Sequence, residues 1–370
     1  MSLFPSADPI PLPAPVWLFK TLHNLTLALH LAAVELLLGG LLIGIALATL
    51  GRIRSSPLMI QTGGMIAHRL PTVMAMLINL GVPPLLFAQV LYGRALYTSS
   101  VLIGAYWISV IFLLMGSYYG LYYSAKRADA RRAWSATGLA ALVLALTIAF
   151  IYSNNMTLML RQPVWSEMYR HSPAGVQWNT SDPTLWPRWF YFVLGSLSGA
   201  GAALMLLAQR QHFEDGLRRF LFRSGAVALA VGMLFEAGFA RMAMATQPAG
   251  ITTALMANSN YAGSADAWAA TAAASLLVAL WAVLSRTPRT IAAVSAALLV
   301  FLNIAATVMV RDGIRDITLR AAGFEVWDRQ VVTNWSVVGI FLLLLVAAVG
   351  VIGYLIRVVA KARRIEEIYA

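Results

Sequence analysis

Cysteine is absent from the 370 residues. That excludes disulfides, thiolate metal sites, iron–sulfur clusters and covalently attached c-type haem in one step. Charge is scarce too: Asp, Glu, Lys and Arg make up 11% of the chain, against about a quarter in soluble domains. The opening stretch "MSLFPSADPIPLPAPVW" lacks the basic n-region of a secretory signal and is broken by five prolines. Residues 1–16 therefore read as an extended, Pro-rich periplasmic lead-in to a first helix. No repeat, low-complexity linker or extended soluble domain interrupts the chain, so a single integral membrane domain over 1–370 is expected.

What is present is apolar. Hydrophobic residues account for 60% and the mean hydropathy is +0.74, more than a soluble fold can hide. Apolar runs of membrane-spanning length recur between charged or Pro/Gly-rich breaks. They predict nine helices, near 17–50, 66–93, 98–124, 133–153, 188–209, 221–243, 265–285, 289–310 and 335–358. The runs lack the alternation of barrel strands. The expected class is an all-α polytopic membrane protein.

Basic residues orient it. With the N-terminus outside, seventeen of the 27 Lys and Arg fall on the inner side with five of the 15 acids, and the whole formal charge of +12 lies there. The positive-inside rule thus predicts N-terminus out and C-terminus in. It also explains the basic charge as cytoplasmic anchoring rather than nucleic-acid binding. Three sizeable loops fall outside: 154–187, rich in Trp, Met and Pro, 244–264, and 311–334. Such loops fold back on the membrane surface or meet a partner, here a periplasmic one.

Of the five histidines, His68, His171 and His212 fall at interfaces or in loops, where solvation accounts for them. His23 and His30 differ. Seven residues apart on one helix, they share a face, about 10 Å apart along its axis. His30 is the deeper, where an ionisable group is a functional hypothesis by default. A neutral imidazole there suits a haem iron, a quinone hydrogen bond or a helix–helix hydrogen bond. Glu35 points about 140° away from His30. Other polar groups within spans are Asn79, Gln89, Glu236, Arg241 and Asn303; Glu236 and Arg241 diverge by about 140° and are expected to pair separately. Pro83–Pro84 is expected to kink the second span. The small residues of "LSGAGAALML" suit close helix contact.

Several runs resemble subunit I of the cytochrome bd quinol oxidases. "LTLALHLAAVELLLGGLLIGIAL" is similar to that family's first helix, "AHRLPTVMAMLINLGVPPLLFAQVLYG" to its second, "LFRSGAVALAVGML" to the start of its sixth and "FLLLLVAAVGVIGYLIR" to its last. The resemblance implies a bd-like bundle, with His30 at the place of a haem-ligating histidine near the outer face. The sequence departs from the family elsewhere. Aromatics, with Tyr191, stand where its fifth helix ligates the low-spin haem, and "ADAWAATAAASLL" lacks its seventh-helix methionine. The third-helix acids are missing, Ala348 replaces the last helix's glutamate, and the quinol-binding loop shrinks to about twenty residues without its Gly-Arg-Gln-Pro-Trp motif. Oxygen reduction does not carry over.

Divergent relatives of this family occur beside multihaem c-type cytochromes, and "DPIPLPAPVWLFK" and "GVPPLLFAQVLYG" resemble that branch. The resemblance implies a bacterial inner-membrane subunit of a respiratory complex, an oxidoreductase component linking the quinone pool to periplasmic c-type cytochromes beside other membrane subunits. His30 would ligate one b-type haem, and His23 with Arg311 or Arg315 would meet its propionates. Two readings stand beside it: a haem-free bd-like anchor docking a cytochrome complex, and a transporter.

Overall fold

A computed structural model describes Phe4, residues 11–347, and Gly350, Val351 and Tyr354. Its helices are α1 (Val16–Ile53), α2 (Pro57–Leu102), α3 (Gly104–Asp129), α4 (Ser135–Leu158), the short α5 (Trp165–His171), α6 (Leu185–Gly195), α7 (Leu197–Leu207), α8 (Asp215–Ala245), the short α9 (Ile251–Ala257), α10 (Ala262–Leu284) and α11 (Thr290–Ala321). Among the described residues there is no strand, only an isolated pairing of Leu12 with Val331. Eight helical stretches there are long and apolar enough to cross a membrane, α6 and α7 together making one. The protein is an all-α polytopic membrane protein.

The predicted ninth span is represented by α12 (Trp335–Ala347). Ala348 and the basic tail from Arg357 lie outside the described residues.

Three boundaries move, each for a physical reason. The second helix starts at Pro57, a residue favoured in a first helical turn, and runs to Leu102. At about 1.5 Å per residue, its 46 residues exceed a bilayer core. Arg94 does not end it, because the guanidinium packs over the rings of Phe4 and Phe324 at 5.6 and 5.4 Å. Pro83 and Pro84 lie inside this continuous helix, where they deprive the carbonyls of Asn79 and Leu80 of their helical donors. The eighth span continues through Arg311, Asp312, Arg315 and Asp316 to Ala321. The outer loop predicted from 311 therefore begins only at 322. Loop 154–187 is shortened by the end of α4 and contains α5, and loop 244–264 contains α9.

Helix α1 occupies the centre and touches α2, α4, α6, α7 and α11. The small residues of α7 serve as expected. A Cβ on Gly201 would fall 2.5 Å from the Gly225 carbonyl oxygen, so α7 and α8 meet backbone to backbone. The outward faces of α3 and α10 carry exposed apolar groups such as Ile108, Phe112, Leu277 and Leu284, as lipid contact requires.

The bundle has two unlike ends. Arg52, Arg131, Arg210 and Arg289 mark one, where Thr49 bonds Ser135 and Thr290 bonds Gln209, each at 3.0 Å. The other is closed by a second apolar core in which Phe4, Leu12, Tyr92, Trp165 and Phe324 pack together. Loop 154–187 folds back there: Trp165 is buried, and Trp178 stacks on Tyr106 at 3.7 Å.

Candidate functional site

Four groups of polar side chains lie within the bundle, and α1 contributes to three. At its N-terminal end Lys20, one turn before His23, is buried and meets two acids of α11, Asp312 and Asp316, at 2.8 and 2.7 Å. Those acids are four residues apart, hence neighbours on one helix face. Tyr92 donates to Asp312 at 2.7 Å, Tyr261 to Asp316 at 2.7 Å, and the Trp327 indole to Asp316 at 2.9 Å. Burial, then the charges of Asp312 and Asp316, push the Tyr261 phenol above its ordinary pKa of 10.0, so it remains a donor. The missed signal for this cluster is "RDGIRD", whose i, i+4 acids and i, i+4 arginines are helical spacing. Hydropathy falls at Arg311 and reads as a helix end, yet Lys20 and the phenols satisfy the acids and the helix continues.

His23 belongs to the same cluster. Its Nδ1 lies 3.0 Å from the Pro84 carbonyl oxygen, and its Nε2 lies 3.1 Å from Arg315 Nη1. A carbonyl accepts and a guanidinium donates, so the ring is the neutral Nδ1–H tautomer with both nitrogens engaged. Arg315 also lies over the Tyr92 ring at 4.5 Å. His23 and Arg315 thus bind each other.

His30, two turns deeper, contrasts with it. Its Nδ1 lies 3.2 Å from the Leu77 carbonyl oxygen, while Nε2 makes no hydrogen bond to any described residue. The ring fits against α2 because residue 81 is glycine: a Cβ there would fall 2.9 Å from His30 Cε1. The sequence pattern did not mark Gly81.

Glu35 points instead to α7, as the helical angle predicts, and there it meets Glu236 of α8. Ser198 Oγ lies 2.7 Å from Glu236 Oε1, 3.1 Å from Glu35 Oε2 and 2.8 Å from the Gly195 carbonyl oxygen. One hydroxyl supplies one proton. The other contacts need a proton from the partner, which a carboxyl has and a carbonyl lacks, so at least one glutamate is a carboxylic acid. No ion pair reaches either glutamate among the described residues. Both need the glycines of "VLGSLSG": Cβ atoms on Gly195 and Gly199 would fall 2.5 Å from Glu236 Cγ and from Glu35 Oε2. Tyr191 extends the group, 3.4 Å from Glu236 Oε2, 2.7 Å from Thr307 and 3.0 Å from the Trp268 indole nitrogen.

Tyr191 and Thr307 also line the fourth feature, a cavity of about 290 Å³ between α6, α8, α10 and α11. Arg188, Arg241, Arg311 and Arg315 share its wall with apolar side chains. Arg311 therefore stands in a helix beside a cavity rather than in a surface loop; Arg241 is separated from Glu236, but the separate partner expected for it is not found among the described residues. Asn79 only bonds its own helix at Ala75, Gln89 is half-buried, and Asn303 donates to Trp268 and Thr271 on α10.

The remaining histidines keep ordinary partners. His68 lies 3.3 Å from Asp129, His171 bonds the Glu167 carbonyl and His212 packs on Phe213. Among the described residues no three His, Asp or Glu side chains form a metal-ligand group. A haem iron needs only one or two axial ligands, so that count does not bear on haem.

No protein-family model matches the chain, and no curated protein matches it. The class that fold and polar groups define is a polytopic helical membrane protein with buried ionisable clusters; any narrower reading rests on those residues.

Proposed function

We propose that the protein is a membrane subunit of a respiratory electron-transfer complex in the bacterial inner membrane, linking the quinone pool to periplasmic c-type cytochromes. In this reading nine helices cross with the N-terminus outside, in a bundle resembling subunit I of the cytochrome bd quinol oxidases, and His30 holds at most one b-type haem. The observation that carries it is the state of His30. Metal-ligating histidines commonly donate one ring N–H to a carbonyl or carboxylate, which fixes the tautomer and turns the other lone pair toward the metal. His30 has that arrangement, with Leu77 as acceptor and Nε2 unclaimed. His23, the other intramembrane candidate, has no lone pair to offer.

A haem there would carry one electron at a time. The chain's own part is to hold His30 between α1 and α2, with Gly81 giving the ring its room. The basic end of the bundle supports the orientation, and Lys20, Asp312 and Tyr261 then lie toward the periplasm.

One observation favours a second reading, the haem-free anchor. Among the described histidines none shares a bonded group with His30, and the end of the bundle covered by the outer loops presents exposed Trp186 and Trp335, at the starts of α6 and α12, on which a cytochrome could rest. Reduced-minus-oxidised spectra after pyridine extraction, for the wild type and His30→Ala, separate the two. Protohaem in the wild type and its loss from the variant are expected. No protohaem in the wild type, or full retention by the variant, overturns the haem assignment; a haem-free chain that still co-purifies with a c-type cytochrome establishes the anchor. Substrate flux without any cytochrome would establish a transporter.

A further inference from the structure

We propose that the cavity between α6, α8, α10 and α11 is a binding site for one anionic phospholipid, its phosphate held by Arg188, Arg241 and Arg311. The charge balance points there. Arg315 is accounted for by His23, and its charge by the neighbouring Asp312 and Asp316. None of the other three is bonded to a carboxylate among the described residues. Arg188 hydrogen-bonds the neutral Gln247 amide oxygen, at 3.4 Å, with the Asp182 charge offsetting part of its own, and Arg311 lies over the Phe192 ring at 4.8 Å. Arg241 bonds no described residue, and no carboxylate lines the cavity. Three like charges thus converge on one wall with no carboxylate bonded to any of them among the described residues, Asp182 offsetting part of the Arg188 charge from outside the cavity.

Unpaired cations near a low-dielectric wall are costly, and a phosphate offers guanidinium groups the acceptors they match in geometry and charge. The rest of the lining is apolar, with Leu160, Met244, Trp268 and Ile314 among it. A neutral ligand would leave the cations uncompensated, and a small free anion would leave this apolar wall uncovered. A phosphate joined to acyl chains meets both requirements. Arg188 and Arg241 stand within the first turn or so of α6 and the last of α8, near the depth at which lipid phosphates lie. Guanidinium groups snorkelling into bulk lipid spread outward, whereas these face a common space. The inference holds whether or not His30 binds haem.

Trp268 in the wall provides a readout. The full chain, delipidated in detergent, is titrated with phosphatidylglycerol bearing brominated acyl chains, with brominated phosphatidylcholine and inorganic phosphate as separate arms. Quenching of the Trp268 contribution, defined by difference against Trp268→Phe, is expected to saturate with phosphatidylglycerol at one lipid per chain. The Arg188→Gln/Arg311→Gln double variant should weaken that binding roughly ten-fold or more. Should the double variant fail to fold, the exposed Arg241→Gln serves, with a smaller weakening expected. Equal binding of phosphatidylcholine, saturation by inorganic phosphate that blocks the lipid without any quenching, or unchanged affinity in the arginine variants overturns the proposal. Native mass spectra of the mildly purified protein should show one retained anionic phospholipid; retention of protohaem in this cavity instead would also overturn it.

Discussion

Two pairs of acids are buried in this bundle, and they are kept in opposite ways. Asp312 and Asp316 share the Lys20 ammonium and collect donors from Tyr92, Tyr261 and Trp327. Glu35 and Glu236 share only the Ser198 hydroxyl, with no cation among the described residues. The first pair is balanced by two cations, Lys20 and Arg315, and is a closed ionic cluster; the second has no cation among the described residues and relies on protonation of at least one carboxyl. Buried charge must be paired or removed, and the two solutions lie on the same central helix, fifteen residues apart at Lys20 and Glu35. Closed clusters hold a structure in register. A carboxyl pair joined by one hydroxyl can change its proton without rebuilding its surroundings.

The contrast is broken most severely at Lys20. Lys20→Met leaves two like charges buried, and removing one partner of a buried ion pair costs about 3–5 kcal/mol. Thermal unfolding in detergent should show this as the largest loss of stability of the substitutions considered, and a Tm within a few degrees of wild type would mean the cluster is not charged as described. Next comes Gly199→Ala. Its Cβ would fall 2.5 Å from Glu35 Oε2, and overpacking of this kind costs about 1–3 kcal/mol, so a lower Tm is expected, with a further loss in Gly195→Ala/Gly199→Ala. The sharpest distinction is a matched pair of amides. Asp316→Asn removes a charge on which Lys20 depends and should resemble Lys20→Met. Glu236→Gln keeps a donor and an acceptor beside Ser198 in a pair that already holds at least one carboxylic acid, so its cost should stay below about 1 kcal/mol. Equal losses for the two amides would show that both pairs are ionised.

The helices were legible because their signal is long and redundant: a run such as 17–50 is apolar throughout, and α1 differs from it by a few residues at each end. Boundaries failed where a charged group is satisfied by tertiary contact. Arg94 and Arg311 each read as a helix end, and each is absorbed, by Phe4 and Phe324 in one case and by Phe192 in the other. The shared face of His23 and His30 and the divergence of Glu35 follow from helical angle alone. Their separate states do not, because these depend on where α2 and α11 place Leu77, Pro84 and Arg315. The particular roles of Ser198 and Gly199 beside Glu35, within a run read only as suited to close helix contact, and of Gly81 beside His30 were not legible for a related reason. Small residues in a small-residue helix carry no composition signal; their role shows only when the opposing side chain is in place. Lys20 lay in plain view, but a lysine near a helix start is ordinarily a solvated interface group.

The mildest test lies just beyond the ionic cluster, where Arg320 and Glu325 pair across the end of α11 with side chains 55% and 35% exposed. Burial alone would raise the Glu325 pKa, but the Arg320 hydrogen bond, the Trp327 N–H and the Arg320 charge hold it below its ordinary 4.5. A carboxyl depressed in the folded state contributes stability that is fully present above its unfolded value and is lost as pH falls through the folded one. Stability from this pair should therefore fade from about pH 4.5 downward. Because the pair is solvent-exposed and screened, the contribution should be below about 1 kcal/mol. Glu325→Gln should flatten that acid limb slightly and leave Tm at pH 7 nearly unchanged, and added salt should mimic it. The Asp312–Lys20 cluster, sealed from solvent one turn away, should not respond to the same salt. If both respond alike, water reaches the cluster, and the two acid pairs differ less than their burial implies.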